Sequence, residues 1–394
     1  MKVLDVFAGA GGFSLGFKLA GCDIIGAVEE DEWAAETFNY NHRDAKVIIG
    51  KIENYTDDYL LEIFKHNHPH IILGGPPCQG FSICNKNSGD PKDPRNSLFQ
   101  EFVRMGKLFY PDYLIMENVP NLLKAKTNNG ASVLEIILTE LKKLGYWVYN
   151  EILEATNYGI PQIRKRLFII AARHQLTIPF PEATHSVVEN GQLSLFKHKK
   201  PCPTLWEAIS DLPEIEAREG AEEMEYSLEA TNEYQKQMRL GAVKVYNHVA
   251  MKHSKRTVER FATMSWGDSL INVPEHLRPL KRNSNGKIAT KVYEQNSRRM
   301  HPDKPCHTIP ASFYANFVHP YKNRNFTARE GARIQSFPDW FIFQGKPTVV
   351  SQKLLEREGR TKEKHLCQYN QIGNAVPPLM AKAIAQNILK QTTR

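Results

Sequence analysis

The chain has 394 residues, 41% of them hydrophobic, a formal net charge of +8 and a pI near 9.0. Such numbers support a sizeable core in two domains, or in one large domain with an insertion, and they argue against global disorder. No run of about 18 apolar residues occurs, which argues against a membrane span, and the basic excess favours a polyanionic partner.

In chain order, the first third alternates strands and helices. VLDVF (3–7) is a short apolar strand, followed by a glycine-rich turn and a helix, SLGFKLAG (14–21), closed by Gly21. DIIGAVE (23–29), VIIG (47–50), IILGG (71–75) and YLIMEN (113–118) read as further strands. WAAETFNYNH (33–42), DDYLLEIFKHN (57–67), SLFQEFVRMGKLF (97–109) and SVLEIILTELKKLGY (132–146) read as the helices between and after them. WVYNEILEA (147–155) and RLFIIAAR (166–173) read as a closing strand pair. This rhythm predicts an α/β fold, a largely parallel sheet with helices on both faces, and ligands at the carboxyl ends of the strands. The rhythm stops near Arg173. From there to about 300, prolines and charges punctuate short elements, as expected of a smaller irregular domain. Helical pattern returns at TAREGARIQSF (327–337) and at PPLMAKAIAQNILKQ (377–391), whose Pro sits at the helix start. The expected domains are 1–173, 174–320 and a C-terminal segment 321–394 that returns to the first.

Five motifs carry chemistry. DVFAGAGGFSLGF (5–17) is a strand, a glycine turn and a helix, suited to an adenosine-bearing cofactor; Ser14 stands where the dinucleotide fingerprint has its third glycine. Glu29 or Glu30, at the end of the second strand, suits ribose hydroxyls. GGPPCQGFS (74–82) braces Cys78 between prolines and a glycine at a strand end. A buried structural thiol is the common alternative, but a nucleophile needs such fixed exposure. Cys84 has no bracing and reads as structural, and the six cysteines contain no CxxC pair, so neither zinc nor a disulfide framework is expected. Glu117, which follows YLIM near the strand end, can carry a raised pKa, serve as a plain strand-end cap or join an ion pair. In QIRKR (162–166), alternation puts Arg164 and Arg166 on one face, suited to an anion or to a carbonyl gaining charge, or simply to solvent. QIGNAVPP (371–378) reads as a polar loop before the last helix, with Asn374 at a ligand or capping the turn.

Taken in this order, F-x-G-x-G, G-P-P-C-Q-G-F-S, E-N-V, Q-x-R-x-R, TAREGARIQSFPD (327–339) and G-N-A-V-P-P resemble the DNA (cytosine-5)-methyltransferase family, of the bacterial modification type. The motifs run from residue 5 to 378 and leave only about 174–300 outside the strong match. Even there, TLWEAISDLPEI (204–215) and NHVAMKHSKRTVERF (247–261) are similar to segments of some bacterial members.

The resemblance implies a Rossmann-like, S-adenosylmethionine-dependent methyltransferase sheet with a smaller target-recognition domain. It places the cofactor against Phe7, Ala8, Gly9, Gly11, Gly12, Glu29, Glu30, Ile52, Pro76, Leu98, Asn374 and Ala375, with no metal. It makes Cys78 the nucleophile on C6 of a flipped cytosine, Glu117 the partner of the N3/N4 edge, Arg166 the partner of O2 and Arg164 its support. The family usually has Asp where this chain has Lys51, which removes an expected contact to the adenine amino group. A second departure is 345–368, read as an insertion that forms either an exposed helix pair or extra DNA contact, the former preferred.

The implied partner is double-stranded DNA, with a cognate restriction endonuclease as functional partner, in a bacterial cytoplasm at the nucleoid. Residues 207–233 hold ten acids and one base, and 236–299 hold fourteen Lys/Arg and four acids. The basic half, including KRNSNGK (281–287) and RRMHPDKPCHTIPASF (298–313), is the expected DNA face. The opposed runs otherwise read as two solvated faces. Methylation of tRNA and a non-enzymatic DNA-binding regulator on the same fold are the alternatives. Intact Cys78, Glu117 and Arg166 weigh against the regulator, and Ser14 weighs against a nicotinamide dehydrogenase.

Overall fold

The computed structural model describes residues 1–77, 98–127, 130–188, 199–281, 286–349, 352–361 and 365–392. Two compact units divide the chain: Met1–Tyr158, Arg164–Thr184 and Ala375–Arg394 form the first, and Gly159–Ile163 with His185–Asn374 form the second.

The first unit runs β1 (Lys2–Val6), α1 (Gly12–Leu19), β2 (Asp23–Glu29), α2 (Glu32–Asn41), β3 (Lys46–Ile49), α3 (Asp57–Phe64), β4 (Ile71–Gly74), α4 (Leu98–Phe109), β5 (Tyr113–Asn118), α5 (Val133–Lys143) and β6 (Trp147–Glu154). The two-residue β7 (Gln162–Ile163) belongs to the second unit, and β8 (Lys165–Ala172) completes the first unit's sheet. Its strand order is β3-β2-β1-β4-β5-β8-β6. The first five are parallel neighbours, and β8 runs antiparallel to both β5 and β6. The inner strands are mostly apolar because helices cover both faces; Leu4, Ile72 and Leu114, on three adjacent strands, are each fully buried. Asp31, Thr56 and Ser132 accept backbone N–H bonds at the starts of α2, α3 and α5. Gly21, at φ 95°, stops α1.

The second unit is a series of short elements. β9 (His185–Ser186) pairs with β10 (Lys200–Pro201); α6 (Leu205–Ile209), β11 (Gly220–Met224), α7 (Glu233–Arg239), β12 (Val245–Val249) and α8 (Lys255–Ala262) follow. Then come β13 (Arg298–Arg299), β14 (Cys306–His307), α9 (Phe313–Asn316), β15 (Phe317–Val318), α10 (Ala328–Ile334), α11 (Gln352–Arg357) and α12 (Gln368–Asn374). α13 (Pro378–Thr392) lies in the first unit and packs on α1. The contact needs Gly16, where a Cβ would collide with Ala381 and the Pro378 carbonyl.

Several expectations change here. Residues 321–374 do not return to the first unit; only Ala375 onward does. The reason is a buried ion network around α10. Arg333 bonds Asp211 at 2.9 Å and Asp339 at 2.6 Å and reaches the Ala208 carbonyl. Arg329 donates to the carbonyls of Tyr246, Pro338 and Phe341, and Arg324 pairs with Glu330 at 2.7 Å while reaching the Ile215 carbonyl. QIGN, expected as loop, is instead the end of α12, where Gly373 allows close approach to the Pro310–Ala311 backbone. Within 345–368 the described residues hold one complete helix, α11, and the first residue of α12. The acidic run is not simply a solvated face either: Asp211 is buried, Lys322 bridges Glu214 and Glu216, and Lys244 bridges Glu223 and Glu225.

Candidate active site

The strand order reverses between β1 and β4, where open α/β sheets place their ligands. β2, β1, β4, β5 and the start of β8 follow one another along that carboxyl edge, and the antiparallel pairing sets Asn118 opposite Leu167. Most of the expected site residues of the first unit sit in this row.

At one end is the glycine turn. Phe7 adopts φ 61°, a left-handed backbone that costs a phenylalanine energy and marks a constrained loop. The N–H groups of Phe7 and Ala8 both reach the Val28 carbonyl. Gly11 (φ 89°) begins α1 with no side-chain cap, and a Cβ there would lie 2.7 Å from Phe38. A Cβ on Gly9 would meet nothing within 4 Å, so the turn is open on that side. Glu29 ties the turn to β2, its two oxygens accepting from Gly9 N at 2.7 Å and Asp31 N at 2.9 Å. Burial pushes the Glu29 carboxyl up to about 7, against those bonds. Glu30 is exposed.

Sequence reasoning left Ser14 as a departure, and the structure gives it a partner. Its hydroxyl donates to the buried Asp5 at 2.6 Å, and burial raises Asp5 to about 7. The side chain in the third-glycine position thus locks α1 to β1. Ile52 is buried, and its carbonyl receives Arg104 of α4, which also pairs with Asp57 and Glu101. Lys51 is exposed and begins the turn that holds Ile52. Leu98, the first residue of α4, is half-buried.

At the other end, Pro76 is buried, and its carbonyl receives the Asn118 amide at 3.0 Å. This bond fixes the loop after β4 to the end of β5; Asn118 was not singled out in sequence, although it is the N of E-N-V. The described residues stop at Pro77, so Cys78 and Cys84 lie outside them. The four described cysteines, Cys22, Cys202, Cys306 and Cys367, are buried, and burial pushes the Cys22 and Cys306 thiols up, away from the thiolate.

Glu117 and Arg166 pair at 2.8 Å with both side chains 13% exposed. Arg164, fully buried beside them, donates to the Ala375 carbonyl at 3.2 Å. Burial raises Glu117; Arg166 and then Arg164 pull it back without cancelling the shift. Both guanidiniums are pushed below their ordinary value, first by burial. One carboxyl with a raised pKa can accept or donate, and two guanidiniums donate only. Together they suit a heterocycle that offers an amide-like N–H/C=O edge. Three strand spacings separate β2 from β5, so the Glu29 and Glu117 strand ends lie about 14 Å apart, enough for two reactants side by side. Asn374 is exposed and closes α12 in the second unit, so the first unit does not itself bring it to this row.

A largely parallel sheet with one reversed strand and a glycine turn at the switch point define a doubly wound, Rossmann-like sheet. The sequence matches the C-5 cytosine-specific DNA methylase family over residues 1–390. It is 47% identical to the type II methyltransferase M.DdeI of Desulfomicrobium norvegicum, over 98% of this chain and 88% of that one. It is 33% identical to M1.HphI of Haemophilus parahaemolyticus, over 100% and 88%. Among solved structures, a prophage-encoded DNA modification methyltransferase of E. coli shares the fold with a TM-score of 0.73 at 24% identity, each chain covered completely. The chain therefore belongs to the C-5 cytosine-specific DNA methylase family and is a DNA (cytosine-5)-methyltransferase.

Proposed function

We propose that the enzyme transfers a methyl group from S-adenosylmethionine to C5 of a cytosine flipped out of a specific double-stranded DNA sequence, through a transient bond between Cys78 and C6. The observation that carries this reading is the Glu117–Arg166 pair at 2.8 Å, backed by Arg164, at the strand end next to Pro76.

An adenosine-bearing cofactor fits the other end of the row. Gly9 leaves space, Glu29 keeps lone pairs beyond its two backbone bonds for ribose hydroxyls, and Ile52 offers an apolar wall. Phe7, Ala8, Gly11, Gly12, Glu30, Pro76, Leu98, Asn374 and Ala375 are assigned to the same ligand. When bound, this cofactor supplies an electrophilic methyl group on a positively charged sulfur.

The chain's own residues do the rest. Cytosine C5 is a weak nucleophile. The Cys78 thiolate gives an electron pair to C6, and the C5–C6 π electrons become available at C5. Glu117, whose pKa burial raises, bonds the N3/N4 edge and stabilises a proton at N3. Arg166 bonds O2, where charge builds, and Arg164 holds Arg166 and Glu117 in place. Loss of the C5 proton to water or hydroxide sends its electron pair back into the ring, and the C6–S bond breaks to return the thiolate.

Base flipping costs a few kcal/mol, offset through phosphate and base contacts that we assign to the second unit as target-recognition domain. The naming of the relatives as type II enzymes supports a modification role beside a cognate restriction endonuclease, in a bacterial cytoplasm at the nucleoid. Labelled-methyl transfer to duplex DNA and to tRNA, with bisulfite sequencing of DNA from expressing cells, tests the reading. 5-Methylcytosine at one short DNA sequence is expected; transfer to tRNA alone would contradict it.

A further inference from the structure

The second unit carries two large exposed rings held in fixed positions. Trp266 is 46% exposed and Tyr321 49% exposed. Their centroids lie 5.7 Å apart with planes at 89°, so they form a wall and a floor. His301 flanks Trp266 at 5.3 Å, and Trp206 backs Tyr321 at 4.6 Å.

Arg299 organises both rings. Its backbone holds the Trp266 loop, accepting from Gly267 N and donating to the Asp268 carbonyl, each at 2.8 Å. Its guanidinium holds the Tyr321 loop through the carbonyls of His319 (2.7 Å), Pro320 (3.1 Å) and Lys322 (3.1 Å) and through Asn323 Oδ1 (2.7 Å). The Trp266 indole N–H closes the ring by donating to the Pro320 carbonyl at 3.1 Å. His319, kept neutral by burial, accepts from the N–H groups of Tyr321 and Lys322. Arg299 is buried, and no carboxylate pairs with it among the described residues. The carbonyls of Phe261, His319, Pro320 and Lys322 surround its guanidinium.

Exposed rings locked in place lose little freedom on binding, and aromatic faces suit bases of a nucleic acid. We propose that Trp266 and Tyr321 form a stacking platform for an unpaired nucleobase of the DNA substrate. This rests on the reading of the chain as a DNA enzyme and adds a base-binding surface separate from the residues assigned to the target cytosine.

The test uses the full chain with two fluorescent oligonucleotide probes, a paired duplex and the same duplex with one bulged nucleotide. Trp266→Leu and Tyr321→Leu keep bulk without the π face, and Trp266→Phe keeps a face. The leucine variants are expected to weaken bulge binding about tenfold, with paired binding changed less than about twofold and Trp266→Phe close to wild type. Unchanged bulge binding in both leucine variants overturns the platform, as does an equal loss on both probes, or a change in sedimentation showing that the rings bury each other between copies. Trp266→Phe keeps the test open if a leucine variant does not fold: it must bind like wild type and lose part of the DNA-induced tryptophan quenching, and quenching equal to wild type overturns the proposal. Methyl transfer by wild type to mixed-sequence duplex DNA is run alongside. If it is absent, the DNA reading fails; if it is present and the variants bind like wild type, only the platform fails.

Discussion

The Glu117–Arg166–Arg164 cluster of the first unit and the Arg333–Asp211–Asp339 cluster of the second are both buried, and both are built from carboxylates and guanidiniums. In the first, two cations face one acid, and burial shifts all three groups toward their neutral forms. In the second, each carboxylate has guanidinium partners, Arg333 and Arg239 for Asp211 and Arg333 and Arg329 for Asp339, so Arg333 is driven above its ordinary value and Asp339 is held below its own. Arg324 and Glu330 repeat that match, with Glu330 held far below the usual range by Arg324. A cluster whose groups are all shifted toward neutrality is suited to completion by a ligand; one whose groups stay charged and sealed holds distant parts of the chain together.

The largest expected effect separates the two. Glu117→Gln should cut methyl transfer about a hundred- to ten-thousand-fold while the melting temperature moves by no more than about 2 °C. A collapse in melting temperature would make the first cluster structural and break the distinction. Arg333→Met should do the reverse. Leaving Asp211 and Asp339 buried without their cation should cost about 3–5 kcal/mol, a fall on the order of 10 °C, and activity should follow the folded fraction. An unchanged melting temperature would contradict the second cluster's role.

The Asp5–Ser14 link sharpens the comparison through pH. Asp5 titrates near 7 in the fold against 3.8 as its ordinary value. Between those values the native state binds more protons than the unfolded chain, so this contribution is present at low pH and is lost as pH rises toward 7. Asp5→Asn removes the decline. Denaturant titrations at pH 5 and pH 8 should therefore show the variant gaining on wild type at pH 8. The opposite sign would mean that Asp5 is ionised and stabilised in the fold. Glu29 shifts the same way and keeps part of the slope in both proteins. Smallest of all, Lys244→Ala removes an exposed bridge to Glu223 and Glu225 and should leave the melting temperature essentially unchanged.

Local features were legible in the sequence. The strands ending at Glu29 and Asn118, and the helix following Gly11, stand close to where their apolar runs and glycines put them. Arg164 and Arg166 share Glu117 as one-face alternation predicts. Long-range pairing was not legible. Asp211 lies 122 residues from Arg333, and an acid inside an acidic run looks like surface until its partner is known. QIGN looked like loop because glycine and asparagine are poor helix formers, but packing against Pro310 overrides that preference. Ser14 looked like a defect in a glycine pattern because nothing local announces that Asp5, nine residues back, is buried and needs a donor.

The most direct test of the covalent mechanism uses duplex DNA synthesised with 5-fluorocytosine. Fluorine at C5 cannot leave as a cation after methyl transfer, so the C6–S bond has no route to break. With S-adenosylmethionine present, wild type should form a complex with this DNA that survives denaturing electrophoresis, and Cys78→Ser should form none. Methyl transfer to ordinary DNA without a trapped complex on the fluorinated DNA, or a complex that persists in Cys78→Ser, would contradict the account.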